Sequence, residues 1–169
     1  MTVVSSLRHL LTPQWRTRIA FSRRTLAAIE AAIERAGRNH AGQIRCAVET
    51  ALPAARLWRR VSPRERALEV FSSLRVWDTE RNNGVLIYVL WAARSVEIVA
   101  DRGFAERVRP SEWEAVCRLI AGYFGEGRFR EGAIAGIDAV GGLLSSHYPS
   151  TAASAGVAEN PPTGQQILL

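Results

Sequence analysis

The chain has 169 residues, 47% of them hydrophobic, which suits one folded domain with a sizeable core. Its formal net charge is +6, and all 22 basic residues are arginines. We expect a cytoplasmic protein, since no apolar run approaches the roughly 20 residues that cross a bilayer, and arginines and a proline interrupt the N-terminal segment where a secretory signal would stand.

Positive charge is concentrated at the start of the chain. The first 29 residues contain no acidic residue and five arginines: Arg8, Arg16, Arg18, Arg23 and Arg24. The remainder is nearly neutral and has no nucleic-acid-reading motif, so nucleic-acid binding is not expected. Residues 1–21 are interpreted as a basic N-terminal arm. Residues 1–29 either remain solvated or contact a membrane protein or an anionic membrane surface, which would make the protein membrane-peripheral.

The first helix and the first strand follow this arm. Apolar residues at helical spacing predict a helix from Ser22 to Gly37. Alternation in the segment QIRCAVE then predicts a strand with one buried face. Cys46 lies on that face and Cys117 on the apolar face of a later helix, which favours reduced, buried thiols over a disulfide.

A second helix precedes the central strands. Ser62 and Glu65 form a capping-box pattern with Pro63 at the first helical position. The residues expected to face inward are Ala67, Leu68, Phe71 and Leu74. Five arginines around the start of this helix predict either a solvated surface or a site for phosphate or an acidic partner: Arg56, Arg59, Arg60, Arg64 and Arg66.

Two strands joined by a tight link come next. The segment Gly84–Trp91 is almost wholly apolar, which predicts a central strand covered on both faces. Three residues separate it from SVEIVAD, so these two strands are predicted to form a hairpin.

Two helices complete the predicted domain. The first has a capping-box pattern from Ser111 to Glu114. Its apolar stripe comprises Trp113, Val116, Cys117, Ile120, Ala121 and Phe124. The second spans Arg128 to Ser146, and its four glycines (Gly132, Gly136, Gly141 and Gly142) are attributed to close packing. Residues 149–169 lack periodicity and predict a disordered tail.

The order of elements predicts the fold class. A helical crossover between strands one and two makes them parallel, and the hairpin makes strand three antiparallel to strand two. We therefore predict a mixed α/β domain, in which a small mixed sheet lies between helices.

This topology brings polar side chains to one end of the sheet. Asp78, Asn82 and Asn83 precede strand two, Asp101 follows strand three, and His40 and Gly42 precede strand one. Oxygen ligands from Asp78, Asn82 and Asp101 would suit Ca²⁺ or Mg²⁺. The alternative is that Asn82, Asn83 and Gly84 only turn the chain into the strand.

Other chemistries find little support in the sequence. His9, His40 and His147 are scattered, which argues against a zinc site. The stretch DTERNNG does not have the spacing of an EF-hand loop, and no P-loop, dinucleotide or nucleophile-elbow motif is present.

The segments NNGVLIYVLWAARSVEIVADRGF and FREGAIAGIDAVGGLL, with the step Gly42-Gln43-Ile44, resemble the TPM domain family. This family includes thylakoid-lumen proteins tied to photosystem II repair. The resemblance covers residues 22–148 and implies a mixed sheet between helices, divalent-cation binding and a weak phosphatase-like activity. By position it implies metal ligands at Asp78, Asn82, Asn83 and Asp101. Many members have an acidic residue where Gln43 stands, which weakens the expected site.

Two functions remain open. The first is a non-catalytic adaptor or assembly module with a divalent-cation site, and we favour this interpretation. The second is a metal-assisted hydrolase of phosphate esters, for which Asp78, Asp101 and the more remote His40 are the available acid–base groups.

Overall fold

A computed structural model describes residues 14–150 and 167–168 of the chain. Within these residues, six α-helices and one 3-10 helix surround a mixed sheet. The helices are α1 (Gln14–Ala20), α2 (Arg23–Gly37), α3 (Ala54–Trp58), α4 (Pro63–Ser73), α5 (Pro110–Gly125) and α6 (Phe129–His147), with the 3-10 helix at Arg102–Phe104. The strands are β1 (Gln43–Glu49), β2 (Gly84–Leu90), β3 (Ser95–Ala100) and β4 (Ile167–Leu168).

The sheet has the strand order β3-β2-β1-β4. β1 and β2 are parallel, and β2 and β3 form an antiparallel hairpin, which confirms the predicted topology. Every residue of β2 is buried, as its continuous apolar sequence predicts for a central strand. β4 pairs in parallel with Ala47 and Val48 of β1.

Helices cover both faces of this sheet. On one face, Ile44 and Ile87 belong to a core that also contains Ile29 of α2, Ile120 of α5 and Ile137 of α6. The opposite face carries a second core, built from Val70 of α4 with Leu86, Tyr88 and Val99 of the sheet. The mixed sheet therefore lies between helical layers, and the predicted fold class is confirmed.

Two helix details differ from the sequence expectation. In α4, Val70 is buried while Leu68, predicted to face inward, is 47% exposed. The α5 capping box uses Glu112, whose carboxylate accepts a 3.0 Å hydrogen bond from the Arg109 amide, so the prediction from Ser111 to Glu114 was wrong. Pro110 occupies the first turn of this helix and has no amide hydrogen to satisfy, which favours the earlier start.

The predicted close packing of the last helix holds at three of its four glycines. A Cβ atom on Gly136 would lie 2.4 Å from Ile120 of α5, and one on Gly132 would lie 2.7 Å from Tyr123. Gly141 lies against Ala36 of α2, whereas a Cβ on Gly142 would meet nothing within 4 Å. Small residues therefore let α6 approach both α2 and α5.

The predicted arm and tail are described only in part. Phe21 is buried in an aromatic cluster with Trp91, Phe124 and Phe129, at ring-centroid distances of 6.0–6.3 Å. The end of the predicted arm thus belongs to the core, while residues 1–13 lie outside the described residues. Of the predicted disordered tail, Pro149 bridges to His40 and 167–168 form β4. Residues 151–166 and 169 lie outside the described residues.

Cys46 and Cys117 are free thiols, the first buried and the second half-buried. Burial raises the pKa of Cys46 to about 12. Within the described ranges, no helix combines the length and apolar character that a membrane crossing requires.

Candidate functional site

The start of β2 and the end of β3 meet at one end of the sheet. The Asp101 amide donates to the Gly84 carbonyl at 2.9 Å, and the Gly103 amide donates to the Asn82 carbonyl at the same distance. The segment before β1 joins them, because the Gln43 amide donates to the Asn83 carbonyl at 3.2 Å. The three chain segments considered in the sequence therefore do converge.

Asn83 holds these segments together. It is buried, and its side-chain amide donates to the Ala41 carbonyl at 3.1 Å. Its main-chain amide donates to the Thr79 hydroxyl at 2.9 Å. With both hydrogen bonds in place, Asn83 connects the loop before β2 to the loop before β1.

Asn82 adopts a left-handed backbone conformation with φ of 51°. Asparagine tolerates this region better than most residues, which suits the tight entry into β2. Its side-chain oxygen accepts a 2.9 Å hydrogen bond from Arg102 Nε. A cation that used this oxygen would have to displace the guanidinium.

Asp78 forms an ion pair with Arg75, with 3.2 Å between the carboxylate oxygen and the guanidinium nitrogen. Both side chains are more than half exposed. Main-chain hydrogen bonds thus hold together the segments that carry Asn82, Asn83 and Asp101, whereas Asp78 pairs with Arg75, three residues earlier in the chain.

Asp101 has one engaged and one unengaged carboxylate oxygen. Its Oδ1 accepts from the Arg102 amide at 2.7 Å and caps the 3-10 helix. Its Oδ2 is buried and makes no hydrogen bond; among the described carboxylates, this oxygen alone is in that condition. A buried oxygen with no partner is costly unless something binds it.

His40 is the remaining side chain that the sequence places at this end of the sheet. It is 4% exposed, and neither ring nitrogen has a hydrogen-bond partner within bonding distance. Burial lowers the pKa of His40, and the nearby Gly42 backbone opposes only part of this shift. The imidazole is therefore neutral at pH 7 and adds no charge to this end of the sheet.

The four predicted ligands do not form a ready-made cage for Ca²⁺ or Mg²⁺. Throughout the part of the chain that is described, no three His, Cys, Asp or Glu side chains are grouped to hold a metal. Hard cations take six or more oxygens, several of them charged. Asp101 would supply one carboxylate beside the cation of Arg102, so the metal site stays a prediction.

A second polar cluster lies between β1 and α4 and was not predicted from the sequence. Glu49 is 3% exposed and accepts from Arg66 Nε and Nη2 at 2.8 and 3.2 Å, and from the Tyr88 hydroxyl at 2.6 Å. Arg66 also donates to Glu69 at 3.0 Å, and Arg56 pairs with Glu69. Two of the five clustered arginines are thus committed to carboxylates within the protein.

The surroundings in this second cluster keep the Tyr88 phenol protonated and the Arg66 guanidinium charged. Burial and the hydrogen bond to Glu49 raise the pKa of Tyr88, so the phenol stays protonated and donates. Burial alone would lower the pKa of Arg66, but hydrogen bonds to Glu49 and Glu69 raise it overall. The cluster is internally satisfied, which is typical of a structural network.

The comparisons with known proteins agree with this architecture. The model of the TPM domain family matches residues 17–143. The NMR structure of the BA42 protein from the psychrophilic bacterium Bizionia argentinensis is similar, with a TM-score of 0.72 and 29% sequence identity, over 84% of this chain and 92% of that one. No curated protein matches the chain. The family match begins inside α1 and includes all the segments that meet at the sheet end.

Proposed function

The chain belongs to the TPM domain family, and we propose that it acts as a non-catalytic adaptor that docks on an anionic membrane surface. The observation that carries this proposal is the exposure of two large apolar side chains among arginines. Trp15 is 60% exposed and Ile19 is 67% exposed. We call this surface the N-terminal face, formed by Trp15, Arg16, Arg18, Ile19, Arg23 and Arg24, all of them exposed.

The N-terminal face has the form of an interfacial helix. Thr17 and Phe21 are buried in the domain, whereas Trp15 and Ile19, four residues apart, lie together on the outer side. The guanidinium carbon of Arg16 lies 6.0 Å from the Trp15 ring. Aromatic and aliphatic side chains flanked by arginines bind the headgroup region of anionic bilayers, at about 1 kcal/mol per basic residue.

The polar residues at the end of the sheet favour an adaptor over an enzyme. Asn82 and Asn83 are engaged in hydrogen bonds that shape the start of β2, and Asp78 is paired with Arg75. Each of these polar residues therefore has a structural role that does not require a substrate.

Flotation with vesicles tests the adaptor proposal. We expect the protein to float with vesicles of phosphatidylcholine and phosphatidylserine but not with phosphatidylcholine alone. The double variant Trp15→Ser/Ile19→Ser should bind at least about tenfold more weakly, because each side chain stabilises the bound state by burying apolar area.

Trp58→Ser supplies the matched control, since Trp58 is 89% exposed but lies on α3. Flotation of Trp58→Ser should equal that of the unchanged protein. Equal binding by all three proteins, or binding that appears only when a membrane protein is added to the vesicles, would contradict lipid docking by the N-terminal face.

A metal-assisted phosphatase is the second candidate, and the unpartnered Oδ2 of Asp101 is the observation that favours it. A cation bound there would polarise a phosphoryl oxygen and lower the pKa of a bound water. Asn82 and the nearby main-chain carbonyls would supply further oxygens once Arg102 moved.

For this candidate we expect Ca²⁺ or Mg²⁺ to raise the melting temperature of the unchanged protein but not of Asp101→Asn, because a cation that binds the folded state stabilises it by mass action. Hydrolysis of a generic phosphate ester should show the same dependence. Asp138→Asn is the control, because Asp138 is an exposed aspartate of α6. Identical melting shifts and identical rates in all three proteins would rule out a site at Asp101.

A further inference from the structure

Aromatic side chains gather several chain segments at one end of the molecule. The ring of Phe21, which follows α1, lies 6.0 Å from that of Trp91, which follows β2, and 6.0 Å from that of Phe124 in the last turn of α5. Phe129, the first residue of α6, lies 4.7 Å from the Trp91 ring. We call this the Trp91 end of the molecule and define it by residues 14–24, 91–95 and 122–132.

The opposite end contains the segments before β1 and β2 and the segment after β3, which hydrogen bonds hold together. Tyr148, which follows α6, belongs to this end, because its hydroxyl donates to the Gly103 carbonyl at 2.7 Å and its ring lies 5.1 Å from that of Phe104. α5 starts here as well, with the ring of Trp113 5.7 Å from that of Phe104. We call this the Asp101 end and define it by residues 34–42, 75–83, 100–114 and 138–150.

The two ends carry equal numbers of arginines but very different numbers of carboxylates. Seven arginines occur in the segments that define each end. The Asp101 end has eight carboxylates, whereas the Trp91 end has two, Glu126 and Glu131. The arginines of the Trp91 end are the four of the N-terminal face together with Arg94, Arg128 and Arg130, and all seven are exposed. Of the two ends, the Trp91 end is therefore the strongly basic one.

Two arginines outside the N-terminal face leave this charge uncompensated. Arg94 lies in the link between β2 and β3, and Arg130 lies in the first turn of α6. Neither forms a salt bridge with any described carboxylate. Glu126 is already paired with Arg128 at 3.1 Å, so Glu131 is the carboxylate that remains to offset the other arginines of these segments.

The N-terminal face is continuous with this basic end. Phe21, in the aromatic cluster with Trp91 and Phe129, directly follows α1, which carries Trp15 and Ile19 on its outer side. α3 also follows a strand that ends on this side of the molecule, but Leu57 packs it against the core on the opposite face of the sheet. α3 and its arginines therefore lie in the other helical layer.

We propose that the Trp91 end as a whole, and not α1 alone, docks on the anionic membrane surface, so that the Asp101 end faces away from the bilayer. This inference rests on the lipid docking proposed above and adds the orientation of the domain. Trp15 and Ile19 enter the headgroup region, while Arg94 and Arg130 contact the anionic headgroups. The Asp101 end, whose arginines and carboxylates nearly balance, stays open to solvent.

Charge reversal at the two ends tests this orientation in the full-length chain. Arg94→Glu/Arg130→Glu should bind vesicles of phosphatidylcholine and phosphatidylserine at least about tenfold more weakly than the unchanged protein, because basic residues near the surface each contribute to binding. Arg38→Glu/Arg81→Glu is the matched control, since it changes the net charge equally at two exposed arginines of the Asp101 end that form no salt bridge with a described carboxylate. Its binding should stay within about twofold of the unchanged protein, because charges beyond a Debye length are screened.

Arg94→Gly tests the same surface without risk to the fold. Arg94 has a left-handed backbone conformation with φ of 52°, which glycine adopts freely. The variant should therefore melt no lower than the unchanged protein, and it should still bind the vesicles about fivefold more weakly.

The outcomes separate this inference from the proposed function. Equal weakening by the two charge-reversed variants would show that net charge alone drives binding, and it would overturn the orientation. Weakening by Trp15→Ser/Ile19→Ser without any effect of Arg94→Glu/Arg130→Glu would overturn this inference and leave docking by α1 intact. An unchanged protein that does not float would contradict both. Binding of single-stranded RNA at physiological salt that only Arg94→Glu/Arg130→Glu abolishes would assign the Trp91 end to nucleic acid instead.

Discussion

Replacing Glu49 by leucine should lower the free energy of unfolding by about 3–5 kcal/mol, because it leaves a buried arginine without its bidentate partner. Glu49 is almost fully buried, and the side chain of Arg66 is 13% exposed. The Tyr88 hydroxyl, 2.6 Å from Glu49, would also lose its acceptor inside the core. Leucine has a similar volume, so the expected loss comes from the unpaired polar groups and not from a cavity.

A variant of Glu69, the second carboxylate partner of Arg66, separates the effect of burial from the effect of ion pairing. Glu69 lies 3.0 Å from Arg66, but its side chain is 43% exposed. Glu69→Leu should therefore cost less than about 1 kcal/mol, as exposed ion pairs usually do. Urea denaturation at pH 7 measures both changes, and similar losses for the two variants would contradict the burial argument.

The double variant Glu49→Leu/Arg66→Met provides a second check on the mechanism. Removing both charges takes away the unpaired guanidinium, so this variant should recover part of the stability that Glu49→Leu loses. No recovery would mean that packing, and not the buried charge, sets the cost.

Hydrophobic patterns predicted most of the fold. The continuous apolar run from Gly84 specifies a central strand, and a link of four residues between β2 and β3 leaves room only for a hairpin. These signals are local. The short link pairs β2 with β3, and the helical crossover makes β1 and β2 parallel. The sheet end at which Asn82, Asn83 and Asp101 meet was predictable from that order alone.

Side-chain partners were not predictable in the same way. Glu49 falls on the polar phase of the β1 alternation, a pattern that is typical of an exposed side chain, but α4 covers that face and supplies Arg66 from 17 residues away. At the sheet end, the neighbouring arginines determine the state of the candidate ligands: Arg75 pairs with Asp78, and Arg102 binds Asn82. Periodicity reports which face a residue occupies, and it carries no information about such pairings.

Substituting alanine for Gly84 should lower the free energy of unfolding by roughly 3 kcal/mol, because the new methyl group has no space. A Cβ atom at this position would lie 1.9 Å from the carbonyl oxygen of Val76 and 2.9 Å from its carbonyl carbon. Val76 is fully buried, and the obstructing atoms are backbone, so relief requires the whole turn from 77 to 83 to shift.

Gly142→Ala is the appropriate control for this substitution. Gly142 lies inside α6 with nothing within 4 Å of its Cβ position, so alanine there should stabilise the protein by up to about 1 kcal/mol through helix propensity. Thermal or urea unfolding of both variants measures the difference. A stable Gly84→Ala protein would show that the turn tolerates displacement and does not depend on this close approach.

The same pair of variants separates the two interpretations of the turn before β2. If Asn82 and Asn83 serve only the strand entry, Gly84→Ala should lower stability by the same amount with and without Ca²⁺ or Mg²⁺. If the turn also supplies ligands, shifting it should remove the melting response to cation that Asp101→Asn removes, while Gly142→Ala keeps that response. The main-chain amide of Asp101 donates to the Gly84 carbonyl, so a displaced turn would also displace the residue that carries the carboxylate.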